Sequence, residues 1–304
     1  MSLKVCIIGF GSIGQKHYKI LKSIKQVSEI LIISKHFKSK NYNISSSLND
    51  TLKFNPDYIV VASPTSDHYD NLKFFINHFE NKKILVEKPL FNKVRNIKKF
   101  NNNKIFVGYN LRFHKVIKYI KEKLYDKKIF YVNCVCHSYL PNWRNYDYRL
   151  SSSAKINKGG GVLLDLSHEI NYLYMFFRDL KIKHIISKKI SNLEIDSEDF
   201  SIISLLSKKN ININLSLNYF TKFAERKIHI IGENIEIYGD LLNNIVKLNY
   251  NKRNKKISFG SSDLNYTYLD MHKEILFSKK SIYSSNFVDG LETQKIIKKI
   301  RDFI

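Results

Sequence analysis

The sequence predicts an α/β protein: an N-terminal, Rossmann-type doubly wound parallel sheet, then a C-terminal α+β domain with an open, largely antiparallel mixed sheet. Three observations predict it. A glycine-spaced strand-to-helix turn stands at the start, strands alternate with helices over roughly the first 115 residues, and strand-like segments then recur mostly without helices between them. The domains are accordingly placed at 1–115 and 116–304.

The first strand is the apolar run 5–8, and Gly9, Gly11 and Gly14 follow it in G-x-G-x-x-G spacing. Gly9 permits the tight turn, Gly11 lets backbone N–H groups approach a pyrophosphate, and Gly14 lets the helix pack closely on the sheet. Ser12 and Ile13 open that helix, whose apolar side recurs through Ile13, His17, Ile20, Leu21 and Ile24. Its N-terminus puts partial positive charge where the anion would lie. A strand before and a helix after the glycines favour a dinucleotide site over a simple glycine-rich turn.

The second strand, 29–33, ends at Ser34, Lys35 and His36. An acid about 20 residues past the glycines would bind free ribose hydroxyls. Ser34 and Lys35 stand there instead, and a hydroxyl beside a cation suits a 2′-phosphate, so NADP(H) is expected over NAD(H), with NAD(H) still possible. The third strand, 57–62, runs into Ser63, Pro64, Thr65, Ser66, Asp67 and His68, and Ser63, Pro64 and His68 are expected beside the cofactor because ligands collect at the carboxyl ends of parallel strands. The fourth strand, 83–86, ends in Glu87, Lys88 and Pro89. The fifth, 104–107, leads into Gly108-Tyr-Asn-Leu-Arg112-Phe-His114.

After a helix at about 115–125, strands are expected at 129–140, 184–191, 200–206, 211–220, 226–231, 235–238 and 245–249, with helices at 266–278 and 290–303 closing the chain. A second stretch with chemistry lies at 138–174. It carries Tyr139, Trp143, Arg144, Tyr148 and Arg149, then Gly159, Gly160, Gly161 and a helix with a buried stripe of Leu163, Leu166, Ile170, Leu173 and Phe177. Asp165, His168, Glu169 and Tyr172 would share the adjacent face, as a proton-transfer group or as an ordinary polar helix side.

Composition excludes several classes. The formal charge of +24 comes from lysines spread through almost every segment, whereas a nucleic-acid binder concentrates its charge on one face. No apolar run is long enough for a transmembrane helix, and the first strand begins too early for a signal peptide. Cys6, Cys134 and Cys136 are too few and wrongly spaced for a disulfide framework or a zinc site, so no metal is expected and the cytoplasm is the expected compartment.

Gly9-Phe-Gly-Ser-Ile-Gly14, Glu87-Lys88-Pro89, Gly108 to His114 and Gly159 to Glu169, in this order and spacing, resemble the glucose–fructose oxidoreductase and inositol dehydrogenase family (Gfo/Idh/MocA). The resemblance implies a Rossmann domain, a C-terminal sheet domain that holds substrate and often mediates dimers or tetramers, and hydride transfer between a nicotinamide and a sugar-like carbinol. It maps the lysine of Glu-Lys-Pro to Lys88 and the helix histidine to His168, both for proton transfer, and sets Glu87 and Lys88 beside the cofactor. Many members space an aspartate four residues before that histidine, whereas Asp165 precedes His168 by three. Either Asp165 sits one position round the helix or Glu169 takes part.

The expected enzyme is thus an NADP(H)-dependent oxidoreductase acting on a sugar, nucleotide sugar or sugar acid. Lys88, His168 and Asp165 are its catalytic candidates. Arg112, Tyr139, Trp143, Arg144, Tyr148, Arg149 and His168 are its candidates for binding substrate. The aromatic residues offer faces for a sugar and the arginines offer planar forks for an anion. The alternative is a sensor that binds the nucleotide without turnover, which would require neither Lys88 nor His168.

Overall fold

Strands that alternate apolar side chains to both faces need cover on both, and the chain supplies it from distant segments. In chain order the elements are β1 (Leu3–Ile8), α1 (Ser12–Lys22), β2 (Val27–Ile33), β3 (Ile44–Ser45), α2 (Asp50–Phe54), β4 (Tyr58–Val61), α3 (His68–His78), β5 (Lys83–Val86), β6 (Lys104–Val107), α4 (Lys115–Lys123), β7 (Ile129–Tyr139), α5 (Val162–Asp165), α6 (Ser167–Phe177), β8 (Lys181–Lys188), β9 (Phe200–Leu206), β10 (Asn212–Asn218), β11 (Phe220–Gly232), β12 (Ile235–Asp240), β13 (Ile245–Tyr250), β14 (Arg253–Ser258), α7 (Asn265–Phe277), β15 (Ser285–Asn286) and α8 (Phe287–Arg301). This computed structural model describes residues 2–261 and 263–303. The chain forms two compact units, Met1–Phe113 with Asp263–Gln294, and His114–Ser262 with Lys295–Ile304.

The first unit holds a seven-stranded sheet in the order β15-β6-β5-β4-β1-β2-β3, parallel except where β15 pairs antiparallel with β6. Val5 and Ile7 pack on one face with Leu21 of α1 and Met271 and Ile275 of α7. Cys6 and Ile8 pack on the other with Leu72, Phe75 and Ile76 of α3 and Phe287 and Leu291 of α8. By their place in the chain, α7 and α8 are expected in the second domain. Here α7 and the start of α8 complete the first unit. The link from β5 to β6 buries Leu90 and Phe91 but contains no helix, so part of the cover on the sheet comes from the C-terminal segment.

The second unit holds an eight-stranded sheet in the order β14-β13-β12-β11-β7-β10-β9-β8, antiparallel except for the parallel β7–β10 pair. Gly239 of β12 lets α4 lie close, since a Cβ there would come within 2.9 Å of Val116 and Ile120 side chains. His114 caps α4 by accepting from the Val116 N–H at 3.3 Å. Burial, with Arg226 adding to it, lowers its imidazole to about 4, so the cap is neutral. Strand β14 and the first residues of β11 were not expected. The first is mostly polar and exposed and the second, Phe220 to Glu225, has no regular alternation, and they form through backbone pairing at an edge and beside a register break at 220–225.

Among the described residues, no helix is long and apolar enough to cross a membrane, and no cluster of three or more His, Cys, Asp or Glu side chains is placed to hold a metal ion. The three cysteines are free and buried. Burial pushes the Cys136 thiol up to about 12 and raises the others, which removes them as thiolate nucleophiles.

Candidate active site

One row of backbone hydrogen bonds defines the carboxyl edge of the parallel sheet. Just past the strands, the N–H groups of Gly9, Ala62, Glu87 and Gly108 donate to Ile33, Ile8, Val61 and Val86 carbonyls at 2.8–2.9 Å. The ends of β2, β1, β4, β5 and β6 therefore stand level, and the turns that follow them emerge on one side, where ligands of such sheets bind.

Along part of this edge lies a cleft of about 1140 Å³. It is lined by Gly9, Gly11, Ser12 and Ile13 from the first turn, Ser34 and Lys35 from the second, and Ser63 and Pro64 from the third. The residues fit a dinucleotide. Gly9 has φ +89°, and a Cβ there would fall 2.6 Å from the Ser63 Cα, whereas at Gly11 a Cβ would meet nothing within 4 Å, so backbone can be approached there. Gly14 faces the sheet, and its Cβ would lie 2.2 Å from the Gly9 carbonyl oxygen, which makes it a packing glycine with no place in the lining. Helix α1 begins with neither a side-chain cap nor an acid in its first turn. Its first backbone bond runs from Gln15 to Gly11, so the earlier N–H groups are available to an anion.

Ser46, Ser47, Leu48 and Asn49 also line the cleft and were not anticipated. They follow β3, a two-residue strand that alternation cannot reveal. Its pairing with β2, and the bond from Ser34 N–H to the Ser45 carbonyl at 2.9 Å, bring them beside Lys35.

His68, expected at the cofactor, is 1 % exposed and outside the lining. Its Nε2 meets the Ser63 carbonyl oxygen at 2.9 Å and its Nδ1 the Pro89 carbonyl oxygen at 3.1 Å, so it ties the turn after β4 to the one after β5. Glu87 is likewise buried. One carboxylate oxygen, Oε2, accepts the Lys88 backbone N–H at 3.0 Å, and the other, Oε1, accepts from His17 Nε2 at 2.9 Å. Lys88 is half-buried, the second residue past β5 on the ligand edge. Arg112 is turned inward. Its guanidinium donates to Asp289 at 2.7 Å and is 2 % exposed, so it braces the first unit.

In the second unit the helix after the glycines is broken. Asp165 closes α5, Leu166 leaves helical geometry with ψ +27°, and α6 starts at Ser167. From Gly161 to Met175 every residue is buried except Asp165 and His168. The tetrad expected on one face is therefore divided. Glu169 and Tyr172 point into the core, where the Arg226 Nε and Nη2 bind the two Glu169 oxygens at 2.7 and 2.9 Å and Tyr172 bonds Cys134. Glu169, which follows His168 directly, is thus committed to Arg226, whereas Asp165 lies three residues before His168. The Tyr219 hydroxyl, which sequence reasoning missed because it lies 54 residues away, donates to Asp165 Oδ2 at 2.7 Å.

Trp143 packs edge-on against the Tyr219 ring at 5.2 Å, so this candidate aromatic belongs to the Asp165 neighbourhood. Tyr139 ends β7, and the Tyr148 hydroxyl accepts the Glu194 N–H at 3.1 Å. The two arginines differ. Arg149 is paired with both Asp147 and Glu194, its charge already answered by two carboxylates. Arg144 reaches the Ser153 hydroxyl at 3.3 Å and the Tyr146 ring.

A Rossmann-type nucleotide-binding fold is the class that this sheet, its glycine turn and its cleft define. Residues 3–103 match the family model GFO_IDH_MocA, described as an oxidoreductase family with an NAD-binding Rossmann fold. No curated protein matches it by sequence. Solved structures with the same fold include UDP-N-acetylglucosamine 3-dehydrogenase GnnA from Acidithiobacillus ferrooxidans (14% identity, 100% of this chain and 98% of that one covered, TM-score 0.80). Two others are the dehydrogenase MviM from Clostridium difficile (19%, 100% and 100%, 0.75) and an inositol dehydrogenase homolog complexed with NADH and myo-inositol from Azotobacter vinelandii (11%, 100% and 96%, 0.76).

Proposed function

We propose that this protein is an oxidoreductase of the Gfo/Idh/MocA family that uses NADP(H) to interconvert a carbinol and a carbonyl on an anionic sugar, a nucleotide sugar or a sugar acid, working as a homodimer or homotetramer in the cytoplasm. The observation that carries the reading is the level carboxyl edge, which gathers the glycine turn, Ser34 and Lys35, and the Glu87-Lys88 turn along one side of the sheet. The bound cofactor supplies the hydride chemistry. The chain supplies the rest. The backbone from Gly9 to Ile13 holds the pyrophosphate, and Lys88 moves the hydroxyl proton of the carbinol. His168 is the second proton-transfer candidate, and Asp165, three residues before it, accepts from the Tyr219 hydroxyl. A panel of nucleotide sugars and sugar acids, assayed by cofactor absorbance, tests it. No turnover on any member with tight cofactor binding would favour the sensor.

Cofactor preference follows from Lys35, which is exposed and lines the cleft where no acid follows β2. A charge-assisted bond to the 2′-phosphate is worth roughly 1.5–3 kcal/mol, about one to two powers of ten in affinity. Lys35→Ala should weaken NADP(H) by that factor and leave NAD(H) unchanged in titration calorimetry. An unaltered preference would remove the assignment.

The anion is assigned to Arg144 rather than Arg149, because Asp147 and Glu194 already occupy the Arg149 fork. Arg144→Ala should raise the Michaelis constant for a charged sugar about tenfold over a matched neutral one, while Arg149→Ala should shift both alike. Equal effects of the two substitutions would contradict this.

A further inference from the structure

Behind the Glu87-Lys88 turn lies a chain of buried polar groups that the reaction itself does not use. His17 Nδ1 meets His272 Nε2 at 2.8 Å, and His272 Nδ1 meets the Tyr58 hydroxyl at 2.9 Å. With the His17–Glu87 bond these make three consecutive hydrogen bonds, and His17, Tyr58 and His272 have no exposed surface. A carboxylate only accepts, so His17 carries a proton on Nε2. In the tautomer with His17 neutral, its Nδ1 accepts from His272 Nε2, and His272 Nδ1 accepts from the Tyr58 hydroxyl. Burial lowers His272 and raises Tyr58, which agrees with a neutral imidazole and a protonated phenol. The chain stops at Tyr58 inside the core, so it leads no proton to solvent.

Its other end is specific. Glu87 Oε2 holds the backbone N–H of Lys88, and Gly108 leaves room for that carboxylate, since a Cβ there would come 2.6 Å from Oε1. Three motifs that the sequence presents separately, the end of the first glycine stretch at His17, Glu87-Lys88-Pro89 and Gly108, converge on one carboxylate. The remaining two groups come from α7 and β4, which no local pattern connects with them.

We propose that His272 and Tyr58, acting through His17, are positioning residues that hold the Glu87 carboxylate on the Lys88 backbone and so fix the turn from which Lys88 works. This rests on the reading of Lys88 as the proton-transfer group. The geometry makes α7 a part of that turn's support, and a buried polar chain is retained where an apolar core would otherwise suffice.

The test is amide hydrogen exchange read by mass spectrometry on peptides spanning 84–91, in which the Lys88 amide reports the bond to Glu87. His272→Phe should speed exchange there about tenfold, the scale of one lost hydrogen bond. His272→Gln, which keeps a donor and an acceptor, should restore it, and peptides from β9 and β10 should not change. If His272→Phe does not fold, Tyr58→Phe, which removes one hydroxyl, gives the same reading at about threefold. Unchanged exchange at residue 88, or equal acceleration over the whole first unit, overturns the proposal. In sugar turnover, His272→Phe should lower kcat about tenfold at constant cofactor affinity and have no further effect in a Lys88→Ala background. Altered exchange together with an active Lys88→Ala variant would keep the relay and discard the role of Lys88.

Discussion

Lys88→Ala is expected to lower turnover by at least about a hundredfold while cofactor affinity stays near that of the unaltered protein. A positioned proton-transfer group is worth about 10²–10⁴ in rate. The two effects separate because of where the residue stands. Lys88 does not line the dinucleotide cleft, and its bond to Glu87 runs through the main chain, so the truncated side chain leaves the Glu87 anchor in place. Lys88→Arg sharpens the test, since a guanidinium keeps the charge but does not release a proton near neutral pH. It should be nearly as impaired as the alanine variant. Stopped-flow turnover and cofactor titration on the same samples decide it. An active arginine variant would make the charge, and not the proton, the contribution of this side chain.

Glu169→Ala should be the most destabilising single change in the second unit. Glu169 has no exposed surface and holds the Arg226 guanidinium at both oxygens, with the Tyr172 hydroxyl adding a third bond at 3.2 Å. Removing one partner of such a pair leaves the other charge uncompensated and costs about 3–5 kcal/mol. At roughly 2–4 °C per kcal/mol for a unit of this size, the melting midpoint should fall by about 6–20 °C. Replacing both partners, as Glu169→Met with Arg226→Met, should recover much of that loss, because neither charge then remains buried. Calorimetric melting of the three proteins checks the pattern, and a single variant that melts within a degree of the parent would show that water reaches the pair. The same pair anchors α6, so His168, the residue next to Glu169, should lose its fixed placement together with the stability.

The glycine turn was legible in the sequence because its constraints are local. Gly9 must adopt positive φ, Gly11 must leave its backbone open, and Gly14 must let α1 approach β1, and each requirement excludes a side chain at a fixed spacing. The apolar signal likewise revealed β1 to β6 apart from β3, because burial on both faces demands runs of Val, Ile and Leu. It failed at β3, β14 and the start of β11. Those segments hold their conformation through backbone bonds to a neighbouring strand, and their side chains carry little of the signal.

The sequence by itself determined the Rossmann sheet, the order of motifs along its carboxyl edge and the candidacy of Lys88 and His168, since each depends on residues adjacent in the chain. Only the tertiary structure decided what supports them. It turned Arg112 onto Asp289, gave Glu169 to Arg226 and Asp165 to Tyr219, and brought α7 back to place His272 between His17 and Tyr58. A buried polar group must find a partner wherever the fold supplies one, and the partners supplied here stand 54 to 255 residues away, beyond the reach of any periodicity.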